Sequence, residues 1–286
     1  MAATRRVSIP VPETHHRDGR RSSDDAHLEG MLRLMGNGAA QPHVGLLVLH
    51  PYSLLGGSMH DMVVTEVFRQ GQASRSFGAV LKYNMRGVGR SDGRRGLVSR
   101  LLGSLPRVSS CDYDALDVIH VIDFLIETME REDPSIQGRA TVALVGYSYG
   151  ACLAAYGAVK HPRVCGYAGI SIPIGSVASF FLKSKQYCND MMDMQRDMPR
   201  LLVLGKNDQY TTEEQLIGCV VERVNSMSRV TDDARDGRRR VCRMKTLPDG
   251  EEVCEIQVDI FDMNDHFWGN DCALMIDHVI SWLLSR

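Results

Sequence analysis

The chain has 286 residues, of which 44% are hydrophobic and 24% charged, enough for one large domain, 1–286, with a substantial core. A formal net charge of −2 does not indicate the strongly basic surface that nucleic-acid binding requires, so we expect the partner to be a small molecule. The eight cysteines are scattered without metal or redox spacing, which favours a reducing compartment, the cytoplasm. Composition leaves the oligomeric state open.

No stretch of the sequence is typical of a transmembrane helix or a secretion signal. Two uncharged runs, 140–159 and 164–182, are long enough to span a membrane, but glycine, serine or proline residues interrupt them. The apolar run after Arg5 and Arg6 is too short for a signal peptide. A mitochondrial presequence is the alternative that this end of the chain leaves open.

The N-terminal segment, 1–43, predicts two short strands joined by a polar loop. The strands are expected at 7–11 and 28–35, where apolar residues concentrate. The loop at 13–25 is rich in arginine and aspartate, which is typical of a solvated surface segment. We therefore expect a hairpin that precedes the main body of the fold.

From residue 44 onward, strand-like apolar runs alternate with segments of helical periodicity. The predicted strands are 44–49, 79–84, 141–145, 164–172, 201–204 and 255–261. The predicted helices outside the central motif are 59–70, which Ser58 would cap, 111–131, 211–228 and 272–284. Such alternation predicts an α/β fold, with a mostly parallel central sheet, helices on both faces, and a ligand site at the carboxyl ends of the strands.

Two segments depart from this alternation of strands and helices. Segment 173–199 is the one irregular stretch large enough to cover an active site, and its Phe180, Phe181 and Leu182 suit either an acyl pocket or ordinary core. Segment 229–252 is rich in arginine and aspartate and contains a Pro-Asp-Gly turn, so we interpret it as a surface insertion.

A nucleophile motif lies at the centre of the chain. The strand at 141–145 leads through Gly146-Tyr147-Ser148-Tyr149-Gly150 into an alanine-rich helical run. In a G-x-S-x-G pattern between strand and helix, the glycines make room for a sharp turn that exposes the serine hydroxyl. A second copy surrounds Ser91, but glycines and arginines follow it instead of a helix. Ser148 is therefore the predicted nucleophile.

A serine nucleophile needs a histidine base and an acid that orients the histidine. His266 follows the last predicted strand and is the predicted base. Asp208 follows the strand at 201–204 and is the predicted acid, while Asp262 and Asp265 are alternatives close to the histidine in sequence. The order Ser, Asp, His is the chain order of α/β hydrolases.

Acyl transfer also needs two backbone N–H donors for the developing oxyanion. Tyr149, directly after the nucleophile, is expected to supply the first. Pro51 has no N–H, so Tyr52 is the candidate for the second, with Ser53 as the alternative. These residues complete the predicted site, and the chemistry requires no metal or cofactor.

Short motifs near the ends of the predicted strands carry a family resemblance. They are residues 50–51, 56–59, 84–91, 146–150, 205–208 and 265–267. Together they resemble predicted α/β-hydrolase superfamily enzymes related to dienelactone hydrolases, over most of the chain. Some such relatives are grouped with serine peptidases of the prolyl-peptidase kind. Tyr52, a position where such relatives often have another histidine, and segment 229–252 depart from the pattern and leave the substrate open.

We therefore predict a serine hydrolase that cleaves a small to medium ester or thioester through an acyl-enzyme on Ser148. Two alternatives remain at this stage. One is a serine peptidase, although so short a chain shows no appended peptide-binding domain. The other is a catalytically silent hydrolase fold that acts as a binding protein.

Overall fold

Ten strands form one continuous sheet in the computed structural model, which describes residues 3–12, 25–93, 110–175, 183–194, 197–222, 228–235, 237–269 and 271–286. The strands are β1 (Arg5–Pro12), β2 (Asp25–Leu34), β3 (Gln41–Leu49), β4 (Phe77–Tyr83), β5 (Thr141–Tyr147), β6 (Val164–Ile170), β7 (Arg200–Gly205), β8 (Ser228–Arg235), β9 (Arg238–Thr246) and β10 (Glu252–Phe261). The polar loop predicted at 13–25 lies outside the described residues except for its last position.

The sheet order is β1-β2-β4-β3-β5-β6-β7-β10-β9-β8. The six central strands, from β4 to β10, are parallel to one another, and an antiparallel pair of strands extends the sheet at each edge. The central strands are almost continuously buried, as expected for a parallel sheet that is covered on both faces. This arrangement confirms the predicted fold class.

Helices cover both faces of the sheet. They are α1 (Met62–Ala73), α2 (Ser110–Glu132), α3 (Tyr149–Lys160), α4 (Ser184–Met192), α5 (Glu213–Val221) and α6 (Cys272–Leu284). α1 and α6 enclose one apolar cluster, and α2 to α5 enclose the other. α2 packs closely because Gly45 leaves room for it: a Cβ there would lie 2.8 Å from the Met129 sulfur. No helix in the described part of the chain is both long and apolar enough to cross a membrane.

The predicted start of α1 was wrong. The helix begins at Met62 and ends at Ala73, and its N-cap is Asp61, whose carboxylate accepts a hydrogen bond from the Val63 N–H. Ser58 instead closes a turn by accepting a hydrogen bond from the Asp61 N–H through its carbonyl oxygen. Both residues are good capping types, and sequence alone does not rank two such candidates three positions apart.

The segment 173–199 is not simply irregular, because it contains helix α4. The helix buries Tyr187, Cys188 and Met191 against the core. Two buried arginines hold its C-terminal end: Arg200 Nη1 donates to the Met191 carbonyl at 2.8 Å, and Arg243 Nη2 donates to the Met192 carbonyl at 2.6 Å. The predicted acyl-pocket residues Phe180, Phe181 and Leu182 lie outside the described residues.

The segment 229–252 contains strands β8 and β9, which extend the central sheet next to β10. No apolar run in the sequence predicted these strands. Charged residues on them form ion pairs with neighbouring elements, as between Arg239 and Asp232 at 3.0 Å and between Arg240 and Asp259 at 2.8 Å. Cross-strand pairing explains why so polar a segment forms part of a sheet.

Candidate active site

Ser148 lies in a sharp turn between β5 and α3, with φ 55° and ψ −121°. This positive φ is strained for a residue with a side chain. Two glycines make the turn possible: a Cβ on Gly146 would lie 2.2 Å from the Gly150 carbonyl oxygen, and a Cβ on Gly150 would lie 2.4 Å from the Leu49 oxygen. The Ser148 N–H donates to the Ile170 carbonyl of β6 at 2.8 Å, which anchors the turn to the sheet.

The three residues that sequence reasoning selected are joined by two hydrogen bonds. His266 Nε2 lies 3.0 Å from Ser148 Oγ, and His266 Nδ1 lies 2.8 Å from Asp208 Oδ2. A carboxylate can only accept, so Nδ1 carries the proton and Nε2 is left to accept the serine proton. His266 and Asp208 are both buried.

Backbone donors fix the acid in turn. Asp208 Oδ1 accepts hydrogen bonds from the Tyr210 N–H at 2.8 Å and the Thr211 N–H at 3.1 Å. Both carboxylate oxygens are therefore engaged, one by the histidine and the other by the start of the loop before α5. The carboxylate is held in one orientation toward the imidazole, which is what an orienting acid requires.

The alternative acids have other partners. Asp262 Oδ1 accepts from Lys206 Nζ at 3.0 Å, and Asp265 Oδ1 accepts from the Phe267 N–H at 3.0 Å. The Asp265 carboxylate thus bonds within its own turn instead of with the histidine beside it. Of the three aspartates considered, Asp208 is the one that contacts His266.

Ser91, in the second G-x-S-x-G copy, is a buried structural residue. Its hydroxyl donates to the Asn84 carbonyl at 2.7 Å and accepts from the Glu29 N–H at 2.9 Å. Glu29 in turn accepts from Asn84 Nδ2 at 3.0 Å and from the Arg90 N–H at 2.9 Å. Burial alone would raise the pKa of Glu29, but these hydrogen bonds, together with the charges of Arg6 and Arg90, outweigh it and leave the pKa lowered.

The loop after β3 brings Tyr52 into contact with Tyr149, the residue that follows the predicted nucleophile. The Tyr52 ring contacts the Tyr149 ring edge-on, with 5.1 Å between centroids. His50 fixes the loop: its Nε2 accepts from the Met85 N–H at 3.0 Å, so its Nδ1 carries the proton that is donated to the Pro51 carbonyl at 2.6 Å. Tyr149 therefore belongs to the Ser148 turn, and Tyr52 contacts Tyr149 through its ring.

Three residues around His266 were not predicted. Tyr147 donates from its hydroxyl to the His266 carbonyl at 2.9 Å, and burial raises the pKa of Tyr147, so the phenol stays protonated. The Tyr210 ring stacks edge-on against the imidazole at 4.5 Å. Burial also raises the pKa of Asp61, although hydrogen bonds and the His266 charge oppose the shift. These contacts join distant parts of the chain, and no local pattern signals them.

Within the part of the chain that the structure describes, no group of three or more histidine, cysteine or acidic side chains is arranged to hold a metal ion.

The parallel sheet, the strained serine turn at the end of β5 and the order of the three polar residues define the α/β-hydrolase fold. The chain is similar to an α/β serine hydrolase homologue from Coxiella burnetii, with a TM-score of 0.59 and 18% identity, over 90% of this chain and 92% of that one. It is also similar to an α/β serine hydrolase without a lid from Xanthomonas campestris, with a TM-score of 0.60 and 18% identity, over 99% and 96% of the two chains.

An esterase from Pyrococcus furiosus has a TM-score of 0.58 and 16% identity, over 99% of this chain and 91% of that one. Among curated sequences, an uncharacterised protein from Rickettsia prowazekii is 23% identical over 202 residues, which is 70% of this chain and 72% of that protein. No family model matches the sequence. At these identities the comparisons establish the fold of the chain.

Proposed function

We propose that this protein is a serine hydrolase that cleaves a small to medium ester or thioester through an acyl-enzyme on Ser148. The observation that carries the proposal is the chain of hydrogen bonds from Ser148 Oγ through His266 to Asp208, at 3.0 and 2.8 Å. Each member has the geometry that its role requires. The names of the structural neighbours, which include serine hydrolases and an esterase, support the same class.

In the proposed acylation, Ser148 Oγ attacks the carbonyl carbon while His266 Nε2 takes the hydroxyl proton. The negative charge passes to the carbonyl oxygen, which the backbone N–H groups of Tyr149 and Tyr52 would stabilise. When the tetrahedral intermediate collapses, the imidazolium returns the proton to the departing alcohol or thiol. Asp208 stabilises the imidazolium and keeps its orientation throughout.

Deacylation repeats the sequence with water as the nucleophile. His266 accepts a proton from water, the hydroxide attacks the Ser148 ester, and the proton returns to Ser148 Oγ as the carboxylic acid leaves. All proton transfers run through one imidazole, so the reaction needs no cofactor. The scattered cysteines support a cytoplasmic location for this activity.

Peptide cleavage and a silent binding role are the alternatives. The same three residues could serve a peptidase, so the choice of an ester or thioester depends on the named esterase neighbour and the ready departure of such leaving groups. A silent fold would not need the strained turn at Ser148, whose positive φ destabilises the native state by about 1 to 3 kcal/mol. That strain supports a catalytic role.

The test compares hydrolysis of p-nitrophenyl acetate by the parent protein, Ser148→Ala and Ser91→Ala. We expect Ser148→Ala to lose at least about a thousandfold in kcat, because the nucleophile is gone. Ser91→Ala is the matched control, since it removes the serine of the other G-x-S-x-G copy, and its folded fraction should retain the parent rate. Equal rates in the parent and Ser148→Ala would contradict the proposal.

A further inference from the structure

Exposed apolar side chains concentrate around the candidate active site. Among the described residues, eight large apolar side chains are exposed, and six of them lie on segments that follow the carboxyl ends of the strands. Five of these form what we call the apolar collar, namely Leu54, Leu55, Met62, Tyr210 and Phe267. Such a concentration is unusual for a surface that contacts only water, and it marks a surface that binds an apolar partner.

Ring contacts place two of the five collar residues against the base. The Tyr210 ring lies 4.5 Å from the His266 ring and the Phe267 ring lies 5.5 Å from it, measured between centroids. Tyr210 is 40% exposed and Phe267 is 58% exposed, so each ring presents one part to His266 and the rest to solvent. An acyl group on Ser148 would therefore have apolar surface beside it.

The other three collar residues lie on the side of the predicted oxyanion residue Tyr52. Leu54 and Leu55 belong to the short helical turn Ser53–Leu55, directly after Tyr52, whose ring contacts Tyr149. Leu55 is 77% exposed. Met62 opens α1 next to Asp61, whose carboxyl interacts electrostatically with His266. The collar residues thus lie on segments that follow β3, β7 and β10, at the same edge of the sheet as Ser148.

We propose that the collar binds the acyl chain of the substrate and selects apolar acyl groups of medium length, such as octanoyl, over acetyl. This inference rests on the proposed function. Methylene groups that lie along Leu55 and Phe267 leave water and also remove water from these side chains, and both effects stabilise the complex. In this account Leu55 and Phe267 determine acyl-chain specificity, while Ser148, Asp208 and His266 perform the reaction.

The test measures kcat/KM for p-nitrophenyl octanoate and p-nitrophenyl acetate, with the octanoate kept below the concentration at which it forms micelles. A fully buried methylene favours the longer ester about fourfold, and a half-covered one about twofold. We therefore expect the parent protein to prefer octanoate by roughly 10- to 100-fold. The ratio of the two values cancels any general change in the catalytic residues.

Leu55→Ser and Phe267→Ser are expected to lower that ratio at least about threefold each. Leu274→Ser is the matched control, because Leu274 is 65% exposed on α6 and is not part of the collar. Its ratio should equal that of the parent. Thermal melting of all three variants checks that each is folded.

Two results would overturn the inference. A parent ratio near one, or equal ratios in the collar variants and Leu274→Ser, would show that the collar does not bind the acyl chain, while acetate turnover would leave the proposed function intact. Failure to cleave either ester, together with no reaction of Ser148 with a fluorophosphonate, would instead overturn the proposed function and the collar with it.

Discussion

The hydroxyls of Ser148 and Ser91 have opposite surroundings. Ser148 Oγ faces the imidazole of His266, whereas Ser91 Oγ is bonded to the backbone of Asn84 and Glu29. A hydroxyl that bonds only to backbone groups has no base to accept its proton. Reactivity at this scale therefore depends on which group the side chain faces, and the five-residue pattern that the two serines share does not determine it.

Tyr52 allows a test of the oxyanion hypothesis with little change in backbone conformation. Its φ of −62° already suits proline, so Tyr52→Pro removes the backbone donor without forcing a new conformation. We expect turnover to fall at least about a hundredfold, as for the loss of one oxyanion donor. Steady-state kinetics on p-nitrophenyl acetate would measure the change.

The control for this substitution is Tyr52→Ala. It removes the ring that contacts Tyr149 but keeps the N–H. We expect it to remain at least about tenfold faster than Tyr52→Pro, because the donor persists. Equal rates for the two variants, or a Tyr52→Pro rate within about threefold of the parent, would remove Tyr52 from the oxyanion site and favour Ser53.

At the residue scale, the candidate catalytic residues were chosen by two criteria: the chemical type of the side chain and its position directly after a predicted strand. That was enough to group Ser148, Asp208 and His266 before their hydrogen bonds were seen, and their catalytic roles stay predictions. It was not enough to rank Asp208 firmly over Asp265, because the choice depends on where each carboxylate points. Side-chain direction in a loop is set by contacts such as the Phe267 N–H, which no local pattern encodes.

A buried carboxylate lies at the contact between β9, β10 and α6. Asp259 of β10 accepts hydrogen bonds from Arg240 at 2.8 Å and Gln257 at 2.6 Å, and it contacts His278 of α6 at 2.6 Å. Gln257 in turn accepts from the Trp282 indole at 3.0 Å. Burial would raise the pKa of Asp259, but its hydrogen bonds outweigh burial and lower it.

We expect Asp259→Asn to lower the free energy of unfolding by about 2 to 3 kcal/mol at neutral pH, because it leaves Arg240 and His278 without their carboxylate. The folded pKa of Asp259 is below its unfolded value of 3.8, so this stabilisation is present above about pH 4 and declines as pH falls through the folded pKa. Urea titrations of parent and variant at several pH values would measure both effects.

Asp232→Asn is the control, since Asp232 pairs with Arg239 at the exposed edge, where its side chain is 47% exposed. Screening by water should keep its effect below about 1 kcal/mol. Equal losses for the two variants, or a loss for Asp259→Asn that grows as the solution is acidified, would contradict the assignment of Asp259 as the central charge of this contact.

Apolar runs identified most of the central strands because burial on both faces leaves a continuous signal. β8 and β9 lack that signal, since their charges are satisfied by partners on a neighbouring strand or helix, which a single-segment pattern does not show. Helix α4 was missed for a related reason. Its end is held by Arg200 and Arg243, which come from other strands and not from its own sequence.

Across the whole molecule, the topology brings the candidate site together. β6 separates β5 from β7, and β10 lies next to β7, so the chain leaves the same edge of the sheet at Ser148, Asp208 and His266. The alternation of strands and helices was sufficient to predict this edge, because parallel strands must all end on it. The extension of the sheet to ten strands was not predictable in the same way, because the antiparallel edge strands do not alternate with helices in the sequence.

The measurement that tests the central claim most directly is fluorophosphonate labelling of the purified protein beside Ser148→Ala, with intact mass and peptide mapping. A fluorophosphonate reacts with a serine that a neighbouring base has activated, and it does not depend on the choice of substrate. We predict one adduct per chain, located on Ser148 and lost in Ser148→Ala. A folded parent protein that stays unlabelled, or an adduct on any other residue, would contradict the account.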